Sequence, residues 1–367
     1  MFSRFFNLAN LSDLLGGGPP SMKEVEDIIQ KDLLGLRDIA LLLLAQGEAR
    51  HVVFSEAVRR RTEKWDKRLF LMPPLYISSG DLRKGRCLGD CAYCAWGRGE
   101  HSVTRLEPNE VELEALKLIE MGYKEIEFVA ATDSLFFNSS ICAEYVAAAR
   151  RGGAINIGLN FFPYKSPDDY RALAESGVTF SIVWQETYDR EVYRNIHPLG
   201  AAKFNYEYRL DAHDRALLGG VKSVGVAFLG GLSDWRFEAL ATICHARYLQ
   251  SEYGANIIFG MPRWKEAPGI DFVPTQYTDE DYLLVGALYS LSIPESLPWF
   301  STREPFDLSA KASEGGGCLF TLDCSTKVGG YLSPKGEEQF PVYSYDFRTG
   351  TSRLRELGFK PEVHLPW

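Results

Sequence analysis

From residue 75 onward, short apolar runs alternate with longer stretches whose apolar positions recur every three or four residues. The short runs are "LYIS" (75–78), "EIEFVA" (125–130), "INIGLNF" (155–161) and "TFSIVW" (179–184). Four more follow: "SVGVAF" (223–228), "NIIFGM" (256–261), "LPWFST" (297–302) and "CLFTLD" (318–323). All are too short for helices, and most are rich in the β-branched and aromatic residues that fill buried strands. The stretches between them, such as "PNEVELEALKLIEMG" and "SPDDYRALAESG", carry helical periodicity, and several end at a glycine able to cap a helix. Eight strands alternating with helices predict an α/β fold, a parallel (β/α)8 barrel of the TIM type, over 75–325. Ahead of it, "KEVEDIIQKDLLGLRDIALLLLAQ" and "EARHVVFSEAVRRRTEKWDKRLF" predict a helical N-terminal extension over 1–74, with Ser21 and Glu24 forming a capping-box pattern. Residues 326–367 are expected to form a short C-terminal extension packed on the barrel.

Composition narrows the setting. With 367 residues, 46% hydrophobic and 24% charged, the chain can bury a sizeable core. The net charge of -9 gives no basic excess to suit a nucleic acid or an anionic membrane, so neither partner is expected. The run "IALLLLA" is too short to span a bilayer, and the first residues lack the apolar core and cleavage site of a signal peptide. A cytoplasmic, reducing compartment is expected. There an odd count of seven cysteines with one tight cluster points to metal binding rather than to disulfides. Nothing in the sequence sets an oligomeric state.

The cluster is Cys87, Cys91 and Cys94 in "RKGRCLGDCAYCAWGRGEH" (83–101), a C-x3-C-x2-C spacing directly after the first predicted barrel strand. Barrels present their chemistry at the C-terminal ends of their strands. Three thiolates can hold three irons of a [4Fe–4S] cluster and leave the fourth iron open, whereas most such clusters take four cysteines. A tetrahedral zinc site with His101 as fourth ligand is the alternative, although this stretch offers one C-x2-C knuckle rather than two.

With Tyr93 before its last cysteine, the motif resembles the signature of radical S-adenosylmethionine (SAM) enzymes. The resemblance implies that the open iron chelates the amino and carboxylate groups of SAM, and that reductive cleavage yields a 5′-deoxyadenosyl radical. Further stretches are similar to the aromatic amino-acid lyase branch: "WQETYDREVYRNIHPLG" (184–200), "MPR" (261–263), "STREP" (301–305) and "STKVGGY" (325–331). That branch holds the tyrosine lyases of thiamine biosynthesis and of [FeFe]-hydrogenase maturation and the tryptophan lyase that makes 3-methylindolic acid. The likeness implies a carbon–carbon lyase that cleaves or rearranges a free aromatic amino acid such as tyrosine or tryptophan. Hydrogen abstraction at the amino group would precede Cα–Cβ or Cα–carboxylate scission. An electron donor such as flavodoxin or ferredoxin is implied as partner. The "QETYD" tag is shared with methylornithine synthase, so a mutase of an aliphatic amino acid is the runner-up. A non-catalytic metal-binding protein is the rival from another class.

The resemblance also assigns roles. Tyr93, Trp96, Asp133, Gln185, Glu186 and Arg209 are expected at the cofactor, with Arg209 clamping its carboxylate. Arg303 is expected to hold the substrate's carboxylate, with Arg263 and Glu186 beside it at the barrel mouth. Asp133 is expected to substitute for a Gly-Glu that relatives use for the cofactor's amino group, where this chain reads "AATDS". Ahead of Cys87 the chain inserts a basic "SGDLRKGR", and Cys318 with Cys324 are too few for a second cluster.

Overall fold

The computed structural model describes residues 1–99 and 101–367. Its ten strands are β1 (Arg68–Leu71), β2 (Pro74–Ser78), β3 (Glu125–Ala130), β4 (Asn156–Asn160), β5 (Val178–Ile182), β6 (Ser223–Val226), β7 (Asn256–Gly260), β8 (Leu297–Phe300), β9 (Leu319–Phe320) and β10 (Lys360–Glu362). They form one sheet in the order β10-β1-β9-β8-β7-β6-β5-β4-β3-β2. The neighbouring pairs are parallel throughout. Each of the eight predicted strands is present, as β2 to β9, in a TIM-type α/β fold whose ends are β2 and β10. The free edge of β2 is covered by the loop after β9, where Gly329 N donates to Tyr76 O at 2.9 Å and the Tyr331 hydroxyl to Pro74 O at 2.6 Å.

Two strands lie where the sequence predicts none. The N-terminal helix Glu48–Trp65 stops at Asp66 and Lys67, whose φ angles of 46° and 58° are left-handed, and "RLFL" then enters the sheet as β1. The helical expectation for 1–74 is corrected at this point. In the C-terminal extension Lys360–Glu362 pairs with β1 as the outermost strand. The capping box at Ser21 and Glu24 is present. The helix Glu48–Trp65 packs on helices Asp279–Ser292 and Phe306–Gly316, and Arg50 pairs with Asp281 at 2.8 Å.

Phe70, Met72, Phe180, Ile182, Ile258, Leu297, Trp299 and Leu319 form a buried apolar cluster inside the sheet, with Leu365 and Trp367 packed against it. This plug closes the end away from the strands' C-termini. The chambers described below lie at the opposite end, where α/β folds place ligands. Among the described residues no helix is long and apolar enough to cross a membrane.

Candidate active site

The loop after β2 folds its three cysteines into the wall of a chamber at the strands' C-terminal ends. Asp90, with a left-handed φ of 48°, turns the chain between the first two cysteines, and Arg98 pairs with its carboxylate at 3.0 Å. Gly97 closes the loop: a Cβ there would lie 2.7 Å from both N and O of Cys91. Cys87 Sγ accepts hydrogen bonds from Gly89 N at 3.4 Å and Thr132 N at 3.3 Å. Cys94 Sγ accepts one from the Gln339 amide at 3.4 Å. Donors aimed at sulfur favour thiolates. Burial acts the other way, pushing Cys91 up to about 12 against the opposing pull of Lys203, so a thiolate at this depth calls for a metal cation.

The donor set fits an iron–sulfur cluster better than zinc. His101 Nε2 lies 3.2 Å from Ser79 O, its ring stacks near Trp96, and it does not itself line the thiols' chamber. Among the described residues no three His, Cys, Asp or Glu side chains converge as a single ion requires. Three thiols on one chamber wall suit a polynuclear cluster, in which each binds a separate iron.

Opposite the cysteines, after β5, Glu186 adopts a left-handed φ of 72°. That conformation is costly for a residue with a side chain and is held by a bridge to the segment after β6, where Leu229 N donates to Glu186 O at 2.8 Å. The Glu186 carboxylate is buried, with Lys203 Nζ at 2.7 Å and Arg209 Nη2 at 3.3 Å. Burial disfavours its charge, but the two cations outweigh burial and hold it down at about 2. Arg209 also donates from Nε to Trp184 O at 2.7 Å, and its buried Nη1 has no partner within the protein.

Deeper in the barrel the space continues as a second chamber, and Tyr76, Val129, Asn160, Trp184, Arg303 and Phe340 line both. Gly260 lets the Trp184 indole lie across β7, since a Cβ would come within 2.6 Å of the ring. Arg303 stands where the chambers meet. Its guanidinium carbon lies 3.6 Å from the centre of the Phe340 ring, and Nη1 donates to Arg263 O at 3.3 Å. Among the described residues no carboxylate pairs with it.

Of the sequence-predicted residues, Cys87, Cys91, Cys94, Tyr93, Trp96, Glu186, Arg209 and Arg303 line the first chamber together. Three others do not line it. Asp133 is fully buried behind the wall, bound by Arg105 at 2.6 Å and by Ser78 Oγ at 3.0 Å. Its neighbour Thr132 reaches the chamber instead. Gln185 is buried, and its backbone N–H bonds Ala227 O at 3.1 Å. Arg263 is occupied by Glu304, with Nε at 2.9 Å, and by Asp279 at 2.7 Å. Cys142 is buried in the core, and Arg215 bonds the carbonyls of Tyr164 and Tyr208. Sequence reasoning missed Lys203, Asn160, Gln339 and Phe340 at the chamber, and Glu127 below it. None belongs to a recognisable tag.

Residues 84–244, which span the cysteine loop, Glu186 and Arg209, match the radical SAM superfamily. The chain carries a radical SAM domain. Its cofactors are a [4Fe–4S] cluster and SAM. The chain is 24% identical over 274 residues to the 2-iminoacetate synthase of Salmonella typhimurium, across 73% of this chain and 70% of the relative. The FeFe-hydrogenase maturase HydG from Carboxydothermus hydrogenoformans superposes with a TM-score of 0.84 at 27% identity, covering 94% of this chain and 80% of that one. Methylornithine synthase (PylB) shares the fold, with a TM-score of 0.72 at 19% identity over 92% of this chain and 97% of that one.

Proposed function

We propose that this radical SAM enzyme is a carbon–carbon lyase acting on a free aromatic α-amino acid. One observation carries the reading: two guanidinium groups with unspent donors face the chambers, Arg209 beside the cysteine loop and Arg303 at the junction. Two carboxylates need such partners, that of SAM and that of the amino acid, and a planar fork of donors suits each. Arg209 takes the first and Arg303 the second. The curated relative's product supports the bond that breaks. Cα–Cβ scission of an α-amino acid leaves Cα with its nitrogen and carboxylate, which is 2-iminoacetate.

When bound, the cluster and SAM supply a 5′-deoxyadenosyl radical. The chain's own work is to hold and to exclude. Lys203 and Arg209 fix a charged Glu186 facing the first chamber, where it can accept from an ammonium or from ribose hydroxyls. Arg303 fixes the amino acid's Cα end beside the first chamber and leaves its side chain to the second, walled by Trp184, Met261 and Trp299. Gln339 and Phe340, from the C-terminal extension, line the chambers and limit water entry. The reaction needs a small-molecule substrate and a reductant, for which a reduced flavodoxin or ferredoxin is the fitting donor. The test is anaerobic incubation of reconstituted enzyme, SAM and reductant with a mixture of the common amino acids. Mass spectrometry should find tyrosine or tryptophan consumed. Consumption of an aliphatic amino acid alone would replace the lyase reading with a mutase.

A further inference from the structure

The floor of the second chamber holds a carboxyl group that neither the cofactor nor the Cα end of the substrate uses. Glu127 sits mid-way along β3, in register with Pro74 on β2 and Gly158 on β4. Alternation along the strand turns Glu125, Glu127 and Val129 to one face, and Glu127 and Val129 both line the second chamber. Glu125, one step lower, is spent on the structure: its Oε1 accepts from Asn156 Nδ2 at 2.9 Å and Leu365 N at 2.8 Å. Its Oε2 is buried without a partner, as is one oxygen of Glu127, but of the two only Glu127 lines a chamber. Glu127 is 3% exposed, and its Oε1 is buried with no partner within the protein.

An unmet acceptor at such depth is costly, and this one faces a chamber from which a ligand can meet it. Its surroundings say what would meet it. Pro74, Trp184, Met261 and Trp299 make an apolar, largely aromatic slot. Two polar groups of the lining are already paired, Trp299 Nε1 donating to Thr321 Oγ1 at 2.8 Å and Thr321 Oγ1 to Met72 O at 3.0 Å. Asn160, which lines both chambers, is the polar neighbour of Glu127 and favours its charged form. Burial nevertheless pushes Glu127 up to about 8, so near neutral pH it is mostly an uncharged acid, which suits a neutral partner over an ammonium.

We infer that Glu127, with Asn160 beside it, recognises a polar hydrogen at the far edge of the substrate's ring, a phenol O–H or an indole N–H. The inference rests on the lyase reading and names its substrate class: an aromatic amino acid anchored by Arg303 at one end and read by Glu127 at the other. Glu127 is then a specificity-determining residue.

The experiment uses full-length, anaerobically reconstituted enzyme, as wild type, Glu127→Gln and Glu127→Leu. Tyrosine, tryptophan, phenylalanine and lysine are compared by calorimetric affinity and by turnover, with iron content and melting temperature recorded for each protein. Wild type should favour tyrosine or tryptophan over phenylalanine by about 100-fold or more, because a site built for a donor rejects an analogue lacking it. Glu127→Gln keeps a carbonyl acceptor and should stay within about tenfold of wild type. Glu127→Leu should lose about 10- to 100-fold for the ring-polar substrate, the worth of one buried hydrogen bond, and little for phenylalanine. The tyrosine and tryptophan arms decide between phenol and indole. An unchanged preference over phenylalanine in Glu127→Leu overturns the inference while leaving the lyase reading intact. So does a Glu127→Gln protein of normal iron content that loses all discrimination along with its melting temperature. Consumption of lysine in place of the aromatic substrates overturns both readings, as does a wild type that binds and consumes none of the four.

Discussion

Replacing Arg303 with alanine separates substrate recognition from radical generation. Arg303 has no acidic partner among the described residues, one hydrogen bond to Arg263 O at 3.3 Å, and a stacking contact with Phe340 at 3.6 Å. Its removal therefore costs the fold little: about 0.5–1 kcal/mol for the cation–π contact and a similar amount for one hydrogen bond. Its loss to catalysis is larger. Truncating one partner of a desolvated charge pair costs about 2–5 kcal/mol, or roughly 30- to 5,000-fold at about 1.4 kcal/mol per decade. Arg303→Ala should thus show kcat/KM for the amino acid reduced by that factor and a melting temperature within a few degrees of wild type. Iron content and substrate-free formation of 5′-deoxyadenosine should be unchanged, because the cysteines and Arg209 are untouched. Arg303→Lys should recover only part of the loss, since an ammonium cannot reproduce the two-donor fork. The assay measures amino-acid loss, deoxyadenosine yield and melting on one preparation. Wild-type amino-acid turnover in Arg303→Ala would refute the assignment, and with Arg263 already paired to Glu304 the carboxylate site would have to lie elsewhere.

Three further outcomes follow from the same geometry. Cys87→Ser, Cys91→Ser and Cys94→Ser should each abolish the cluster, while Cys142→Ser, buried in the core, should keep near-normal iron and sulfide on reconstitution. Lys203→Met leaves Glu186 with Arg209 alone, so SAM binding should weaken about tenfold or more by equilibrium dialysis. Glu186 is depressed from 4.5 to about 2, so its stabilisation, roughly 3 kcal/mol, is present above pH about 4.5 and lost as pH falls towards 2. The acid limb of melting should accordingly begin at higher pH in Lys203→Met than in wild type. Asp133→Ala strands the Arg105 guanidinium, whose side chain is 6% exposed, and should cost about 3–5 kcal/mol of stability by denaturant unfolding. In contrast, SAM affinity of the folded fraction should be little changed.

How much of this was legible beforehand depended on the kind of signal. The eight barrel strands stood out because apolar runs in a parallel sheet are short, continuous and separated by helical periods. β1 did not, since "RLFL" follows a helix with neither Gly nor Pro between them, and the break is made by Asp66 and Lys67 in left-handed conformations. β10 was hidden because "KPE" contains a proline and two charges, tolerable only in an outermost strand. Of the residues that line the chamber, the cysteines stood out by their spacing, Arg303 and Glu186 by their tags, and Arg209 by the resemblance alone. Asp133 was misplaced because an acid after a strand reads the same whether it faces the chamber or, as here, an arginine behind it. Lys203 and Gln339 reach the chamber from loops without pattern, and only the packed chain brings them there. Glu127 did leave a trace: "EIEFVA" alternates acid and apolar residues in a strand buried on both faces, so its glutamates must point into the barrel.

The central claim is that an aromatic amino acid gives up its amino hydrogen in the chamber joining the cysteine loop to Arg303. It is tested most directly by running the anaerobic reaction with tyrosine in heavy water, where the amino group exchanges to deuterium and carbon-bound hydrogens do not. The account predicts deuterium in the 5′-deoxyadenosine, formed together with 2-iminoacetate or the glyoxylate it hydrolyses to, with deuterium incorporation and 2-iminoacetate both reduced in Arg303→Ala. Deoxyadenosine without deuterium, or formed at the same rate with no loss of tyrosine, would contradict it.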